Sequence, residues 1–207
     1  NLDLRYDGKS GYLGYNVKSG DPVLTVSTYD RVLIIRKNGT FSVIDVPKKL
    51  FVDTGMLYCG FADKEELAEE IFTLVYKLTE SGEYYVKRFT IEKFIVDRTY
   101  ELIPGGAEVV AFTTRTDQHI DVKYKKNPRY KKLEERFPVQ DFLVKSREAK
   151  GARLTTKDVK SIRLVKPRGS SKSKKAGSGG GKGAAGNGGN SKSGSGKSNG
   201  QGKKKGS

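Results

Sequence analysis

One cysteine (Cys59), one histidine (His119), one methionine and no tryptophan occur in 207 residues. A single cysteine makes no internal disulfide and no Cys-rich zinc site, so disulfide-stapled secreted scaffolds and zinc modules are both excluded. A lone histidine is far more often structural than catalytic. No apolar run approaches the roughly 20 residues that a membrane-spanning helix needs, and no secretory signal opens the chain. The chain also opens without methionine, at Asn1. It reads as a fragment or a processed product, with the chemistry expected upstream.

Charge is present, and it is segregated. Lysine and arginine number 40 against 24 acids, a net +16. Residues 167–207 hold Arg168 and nine lysines with no acid, and residues 145–166 hold eight basic side chains against two acids. Residues 1–144 balance at 22 of each sign. Such asymmetry points to a polyanion partner. The last 41 residues include 14 glycines and lack Leu, Ile, Val, Phe, Met and every aromatic. They bury too little apolar surface to offset ordering, so a disordered basic tail is expected over 167–207. Mobile cations follow phosphates without reading base edges, which gives affinity without sequence preference.

Residues 1–166 read as one β domain. The run Arg31–Arg36 (RVLIIR) is a buried strand, Asn38-Gly39 predicts a type I′ turn, and Thr40–Val46 alternates. Leu74–Leu78, Ser81-Gly82 and Glu83–Phe89 repeat the pattern. Closing elements then align at Leu50–Asp53, Phe94–Asp97 and Phe142–Lys145, with Val52, Val96 and Val144 spaced 44 and 48 residues apart. A mostly β period in the forties predicts propeller-like blades of about four strands. Val109–Thr113 and Gln118–Tyr124 read as further strands, and Arg153–Leu164 as strand, turn, strand. Asp63–Glu70 reads as a short helical insert. The stretch from Lys123 to Lys132 reads as a basic loop with Tyr124, Pro128 and Tyr130 between its charges.

No catalytic pattern stands in this frame. The G-x-G-x-x-G at Gly181–Gly186 lies in the glycine-rich tail, with no strand before it and no helix after it. Gly196-Lys197-Ser198 lacks the glycine five positions earlier that a P-loop needs. Asn38-Gly39-Thr40 is a sequon on paper, but the hairpin turn explains it. The residues describe a β-rich binding module with a basic end, not a self-sufficient enzyme.

Three segments carry a resemblance: Asp3–Gly14 (DLRYDGKSGYLG), Val32–Val52 (VLIIRKNGTFSVIDVPKKLFV) and Tyr84–Leu102 (YYVKRFTIEKFIVDRTYEL). With Lys145–Leu164 (KSREAKGARLTTKDVKSIRL), the sequence resembles the C-terminal region of the A subunit of bacterial type IIA topoisomerases, the topoisomerase IV and gyrase A family. It resembles in particular the topoisomerase IV A-subunit type found in lineages such as Bacteroidetes. The resemblance implies a β-pinwheel, a propeller variant whose blades exchange strands, here with too few units for six blades and so open or truncated. It also implies a basic rim that binds and bends duplex DNA. The family's active-site tyrosine lies in an upstream region that these residues do not contain. Its ATP and Mg²⁺ chemistry belongs to the parent holoenzyme with its B subunit, so no cofactor is expected here. The glutamine-arginine-glycine wrapping box of gyrase is absent, which favours relaxation and decatenation of the topoisomerase IV kind.

The expected partners are duplex DNA, the A-subunit core and the topoisomerase B subunit, in the bacterial cytoplasm at the nucleoid and not at a membrane. The expected phosphate contacts are Lys87 and Arg88 after the second hairpin, then Lys123, Lys125, Lys126, Arg129, Lys131 and Lys132. Arg147, Lys150, Arg153, Lys157 and Lys160 complete the set. Two other readings stay open: a protein-interaction propeller with a solubilising tail, and an RNA-binding β protein that uses its 11 tyrosines for stacking.

Overall fold

The computed structural model describes residues 1–167; apart from Pro167, the expected tail lies outside them. The described chain is almost wholly β. Its first blade contains β1 (Leu2–Asp7), β2 (Tyr12–Gly14) and β3 (Asp21–Val26). The second unit contains β4 (Arg31–Arg36), β5 (Thr40–Asp45), β6 (Leu50–Phe51) and β7 (Met56–Phe61). The third begins with α1 (Lys64–Glu69), then β8 (Phe72–Leu78), β9 (Tyr84–Phe89), β10 (Thr99–Glu101) and β11 (Ala107–Thr113). The fourth contains β12 (His119–Tyr124), β13 (Glu134–Pro138), β14 (Val144–Lys145), β15 (Ala152–Arg153) and β16 (Val159–Val165). The Asp63 carboxylate caps α1 by accepting from Glu65 and Glu66 N–H at 2.8 and 3.1 Å. No described helix is long and apolar enough to cross a membrane.

Each unit after the first follows one rule. Two strands form a hairpin, an arm leaves for the preceding blade, and a long strand returns to pair with the first strand of its own hairpin. The sheets therefore run β3-β1-β2-β6, β7-β4-β5-β10, β11-β8-β9 with β14 and β15 both on β9, and β16-β12-β13. This is strand exchange between consecutive blades, as the pinwheel expectation requires.

The cores lie between blades rather than within them. In β4, Val32 and Ile34 pack with Leu4, Leu13 and Val26 of the first blade. Leu33 and Ile35 turn the other way, to Phe72, Leu74 and Tyr76 of the third. A strand covered on both faces has no polar side to show, which is why the run RVLIIR is continuously apolar. Val75 and Val86 of the third blade pack on Ile120 and Val122 of the fourth. Four blades thus share three cores, and the first and last blades each keep one face outside them. The array is open.

Two local readings are corrected. Only Gly39 in the Asn38-Gly39 turn has positive φ, 81°, so the turn is not type I′. It is a three-residue loop, residues 37–39, closed by Gly39 N–H to Arg36 C=O at 2.9 Å, and glycine supplies the left-handed position such loops need. The repeat is also displaced. Residues 94–97 form no strand, and β14 runs parallel to β9. The equivalent positions are Val52, Leu102 and Leu154, spaced 50 and 52 residues apart. Each donates its N–H into the preceding blade's hairpin: to Gly11 C=O, Gly39 C=O and Tyr84 C=O, all at 2.8 Å. Their side chains are 2%, 2% and 6% exposed.

Two of these anchors are also held from the carbonyl side. Arg36 Nε donates to Val52 C=O at 2.8 Å, and Lys87 Nζ donates to Leu102 C=O at 2.6 Å. The arms lie close to the blades they join. A Cβ on Gly14 would stand 2.2 Å from Lys48 C=O of the first arm, so no larger residue fits there without moving the arm.

Leu102→Ala should cost about 2–5 kcal/mol, the range for a buried leucine whose cavity does not collapse, read as a lower urea midpoint. Burial pushes the Lys87 ammonium down to about 8 from 10.5. Between those pH values the unfolded chain keeps a proton that the native fold has released, so stability rises with pH across that window. The neutral amine retains two N–H groups, enough for two carbonyls. Urea unfolding at pH 7.5, 9 and 10 should show the native protein gaining stability relative to Lys87→Met. A difference that does not change with pH would contradict this account.

Candidate nucleic-acid interface

Charge in the folded body belongs to the fourth unit. Residues 119–166 hold fifteen basic and six acidic side chains, a net +9, while residues 1–118 hold fifteen and eighteen, a net −3. The boundary that the sequence places near residue 144 falls structurally at the start of β12.

The strands of this blade alternate. Ile120, Val122 and Tyr124 are buried against the third blade, which sends His119, Asp121 and Lys123 to the opposite face. On that face the register sets Asp121 between Arg136 of β13 and Arg163 of β16, and sets Lys123 beside Glu134. Lys123 pairs with Glu134 at 3.0 Å, and Arg136 Nη2 reaches Asp121 Oδ2 at 2.8 Å. The sheet face is largely neutralised by its own cross-strand pairs.

The β12–β13 loop differs. Asn127 starts a turn by accepting from Arg129 N–H through its side chain and from Tyr130 N–H through its carbonyl, both at 3.0 Å. The Tyr130 ring folds edge-on to Tyr124, with centroids 6.1 Å apart. Its hydroxyl accepts from Asp158 N–H at 2.9 Å and donates to the Asp158 carboxylate at 3.2 Å. The loop is therefore clamped on its tyrosine. Lys125, Lys126, Arg129, Lys131 and Lys132 are exposed around the clamp. None of the five forms an ion pair among the described residues. Below them the Glu135 carboxyl lies under its usual range, chiefly through the hydrogen bond from Tyr124 and then through Lys157.

The remaining expected contacts divide. Lys87 and Arg88 are corrected: they are 3% and 7% exposed and sit under the third arm, not on a rim. Lys87 Nζ also donates to Arg147 C=O, and Arg88 Nη1 donates to Phe142 C=O at 2.8 Å. Burial lowers the pKa of both. Arg147 is corrected likewise. Its guanidinium lies 4.3 Å from the Tyr100 ring centroid and pairs with Glu148 at 2.9 Å, with its side chain 19% exposed.

Arg153 pairs with Glu83 at 3.0 Å, and Lys157 pairs with Glu135 at 2.9 Å. Lys150, over the Tyr85 ring, and Lys160 are exposed. Lys145, Arg163 and Lys166 are exposed cations absent from the expected set. For Arg163 the signal was its register opposite Asp121, which the sequence alone does not show.

A cleft between the β8–β9 turn and the fourth blade is lined by Lys77, Lys125, Arg153 and Lys157, but also by Glu83 and Asp158. Two of its cations are already paired, so it is no anion pocket. Among the described residues no group of three His, Cys, Asp or Glu side chains is placed to hold a metal ion. What the geometry offers is a basic loop held at Tyr130 on a blade of net positive charge.

A family described as the topoisomerase C-terminal domain of Bacteroidota matches residues 3–166. The A subunit of DNA topoisomerase 4 from Borreliella burgdorferi (strain ATCC 35210 / DSM 4680 / CIP 102532 / B31) is 28% identical over 164 residues. That match covers 79% of this chain and 25% of the relative, so the chain spans about a quarter of the relative's length. A crystal structure of the C-terminal domain of DNA topoisomerase IV superposes on 80% of this chain and 61% of that one, at 11% identity and a TM-score of 0.44.

Proposed function

This chain belongs to the topoisomerase C-terminal domain family of Bacteroidota, and from that premise we propose that it is a non-catalytic DNA-holding domain from the A subunit of a type II topoisomerase. It captures duplex DNA through phosphate contacts and presents it for strand passage. Cleavage, ATP use and Mg²⁺ chemistry are assigned to the rest of the parent enzyme, the A-subunit core with its B-subunit partner, working at the nucleoid in the bacterial cytoplasm.

One observation carries the reading: five cations with no ion pair among the described residues stand on a clamped loop, on the one blade of strong positive charge among the described residues. Lys125, Lys126, Arg129, Lys131 and Lys132 meet phosphates, with Lys160, Arg163 and Lys166 further along the same unit. The basic residues beyond 167 add to the contact. Lys87, Arg88 and Arg147 take no part, because their charge is engaged by carbonyls and aromatic rings. Each phosphate neutralised releases counterions, so binding weakens steeply with salt and ignores sequence. Bending a site of about 20–30 base pairs costs on the order of 1–6 kcal/mol, within reach of a row of such contacts. The RNA-stacking alternative loses support, since Tyr29 at 94% exposure is the one tyrosine that stands fully free among the described residues.

Fluorescence anisotropy at several salt concentrations tests this on three forms: the full chain, the chain ending at Lys166, and the shortened chain with the five loop cations changed to glutamine. The shortened chain should bind duplex more weakly, with a shallower log–log salt slope. The loop changes should reduce that slope by a further amount of about 0.9 for each phosphate no longer met. If shortening alone abolishes binding, the folded body is not the DNA surface. A preference for single-stranded RNA in competition would favour the other reading. With ATP and Mg²⁺ present, the chain alone should leave supercoiled plasmid unchanged; any relaxation would reveal an unrecognised active site.

A further inference from the structure

Among the described residues three blades hold a borrowed strand, and the fourth does not. In the first three, alternate residues of the second strand meet an arm of the following unit: Gly11, Leu13 and Tyr15, then Gly39, Phe41 and Val43, then Tyr84, Val86 and Arg88. In the fourth, Tyr124 N–H donates to Leu133 C=O at 2.8 Å, and Val139 N–H donates to Gln118 C=O at 2.9 Å. With the β12–β13 register, these bonds turn Leu133, Glu135, Phe137 and Val139 toward β12. The backbone groups of Glu134, Arg136 and Pro138 therefore face away. No described strand pairs with them.

We infer that this edge of β13 is an acceptor for an extended acidic segment from another polypeptide, anchored by a leucine or valine. The filled blades set the form of the occupant. β6 and β15 each pair over two residues, so a short seat suffices. Every arm ends in a buried Val or Leu, and beside the unpaired edge Leu133 is 41% exposed, an apolar surface that no described residue covers fully. The sign of the occupant follows from Arg129, Lys131 and Lys132, exposed and without ion pairs among the described residues where it would enter. The arm in the second blade already has this chemistry, with Glu101 directly before its anchor Leu102. Pro138 has no N–H, and β13 is short and charged. Those features discourage open-ended pairing between identical edges while leaving Glu134 and Arg136 free to accept a strand.

The test is residue-resolved amide hydrogen exchange on the full chain, with and without a capped peptide copying residues 97–103. Glu134 and Arg136 amides should exchange fast in the free protein and slow by about tenfold or more when the peptide is added in millimolar amounts. A peptide with Glu101→Lys should protect them less, because it meets like charge. Leu133→Ser should remove the protection while amides of β8 and β9 remain protected, which separates loss of the seat from loss of the fold. Three results overturn the inference: no slowing at Glu134 and Arg136, protection of these amides already in the free chain, or protection by a duplex of about 20 base pairs but not by the peptide.

Discussion

Blade-to-blade cohesion is centred on one residue per arm. At Val52, Leu102 and Leu154 the N–H enters the preceding blade's hairpin and the side chain enters the core that the two blades share. At Val52 and Leu102 the carbonyl is also gripped by a cation, the half-buried Arg36 and the buried Lys87. A backbone group under a covering strand must find a partner, because leaving it unmet costs about as much as a lost hydrogen bond. The exchange meets that demand and closes the interblade core in one stroke. It also explains where the interior lysine and arginine are used. Arg36, Lys87 and Arg88 serve carbonyls and give up their freedom to serve an external anion.

The distribution of surface charge follows from this. Blades two and three have both faces covered, so their strands are apolar and their few interior cations are structural. The last blade has one face free and a long hairpin loop outside the exchange scheme, and that is where unpaired charge collects.

Much of this was legible in the amino-acid pattern, and the reasons are specific. RVLIIR announced a buried strand, and QHIDVKY announced another strand. Glycines at 39 and 82 marked hairpins. The arms were not legible, because strands of two or three residues carry no period. FIVD at Phe94–Asp97 looked like LFVD at Leu50–Asp53, yet residues 94–97 form no strand, and the anchors fall elsewhere. Lys87 and Arg88 sit in YYVKRF beside residues that read as exposed. Only the arm passing over them turns two apparent rim charges into interior ones. Within the Lys123–Lys132 stretch the cations were plain but the Tyr130 clamp was not, since Asp158 lies 28 residues away.

The third arm has a mechanical consequence. The fourth blade is joined to the third by the short linker at 114–118 and by the arm that returns over residues 141–154. Tension applied to the fourth blade along that arm loads the β14 and β15 ladders on β9, the Phe142 and Arg147 carbonyls held by Arg88 and Lys87, and the Leu154 anchor together. The arm doubles back on β9, running parallel at β14 and antiparallel at β15, so a pull on the fourth blade is passed to the third blade's central hairpin as well as to the linker.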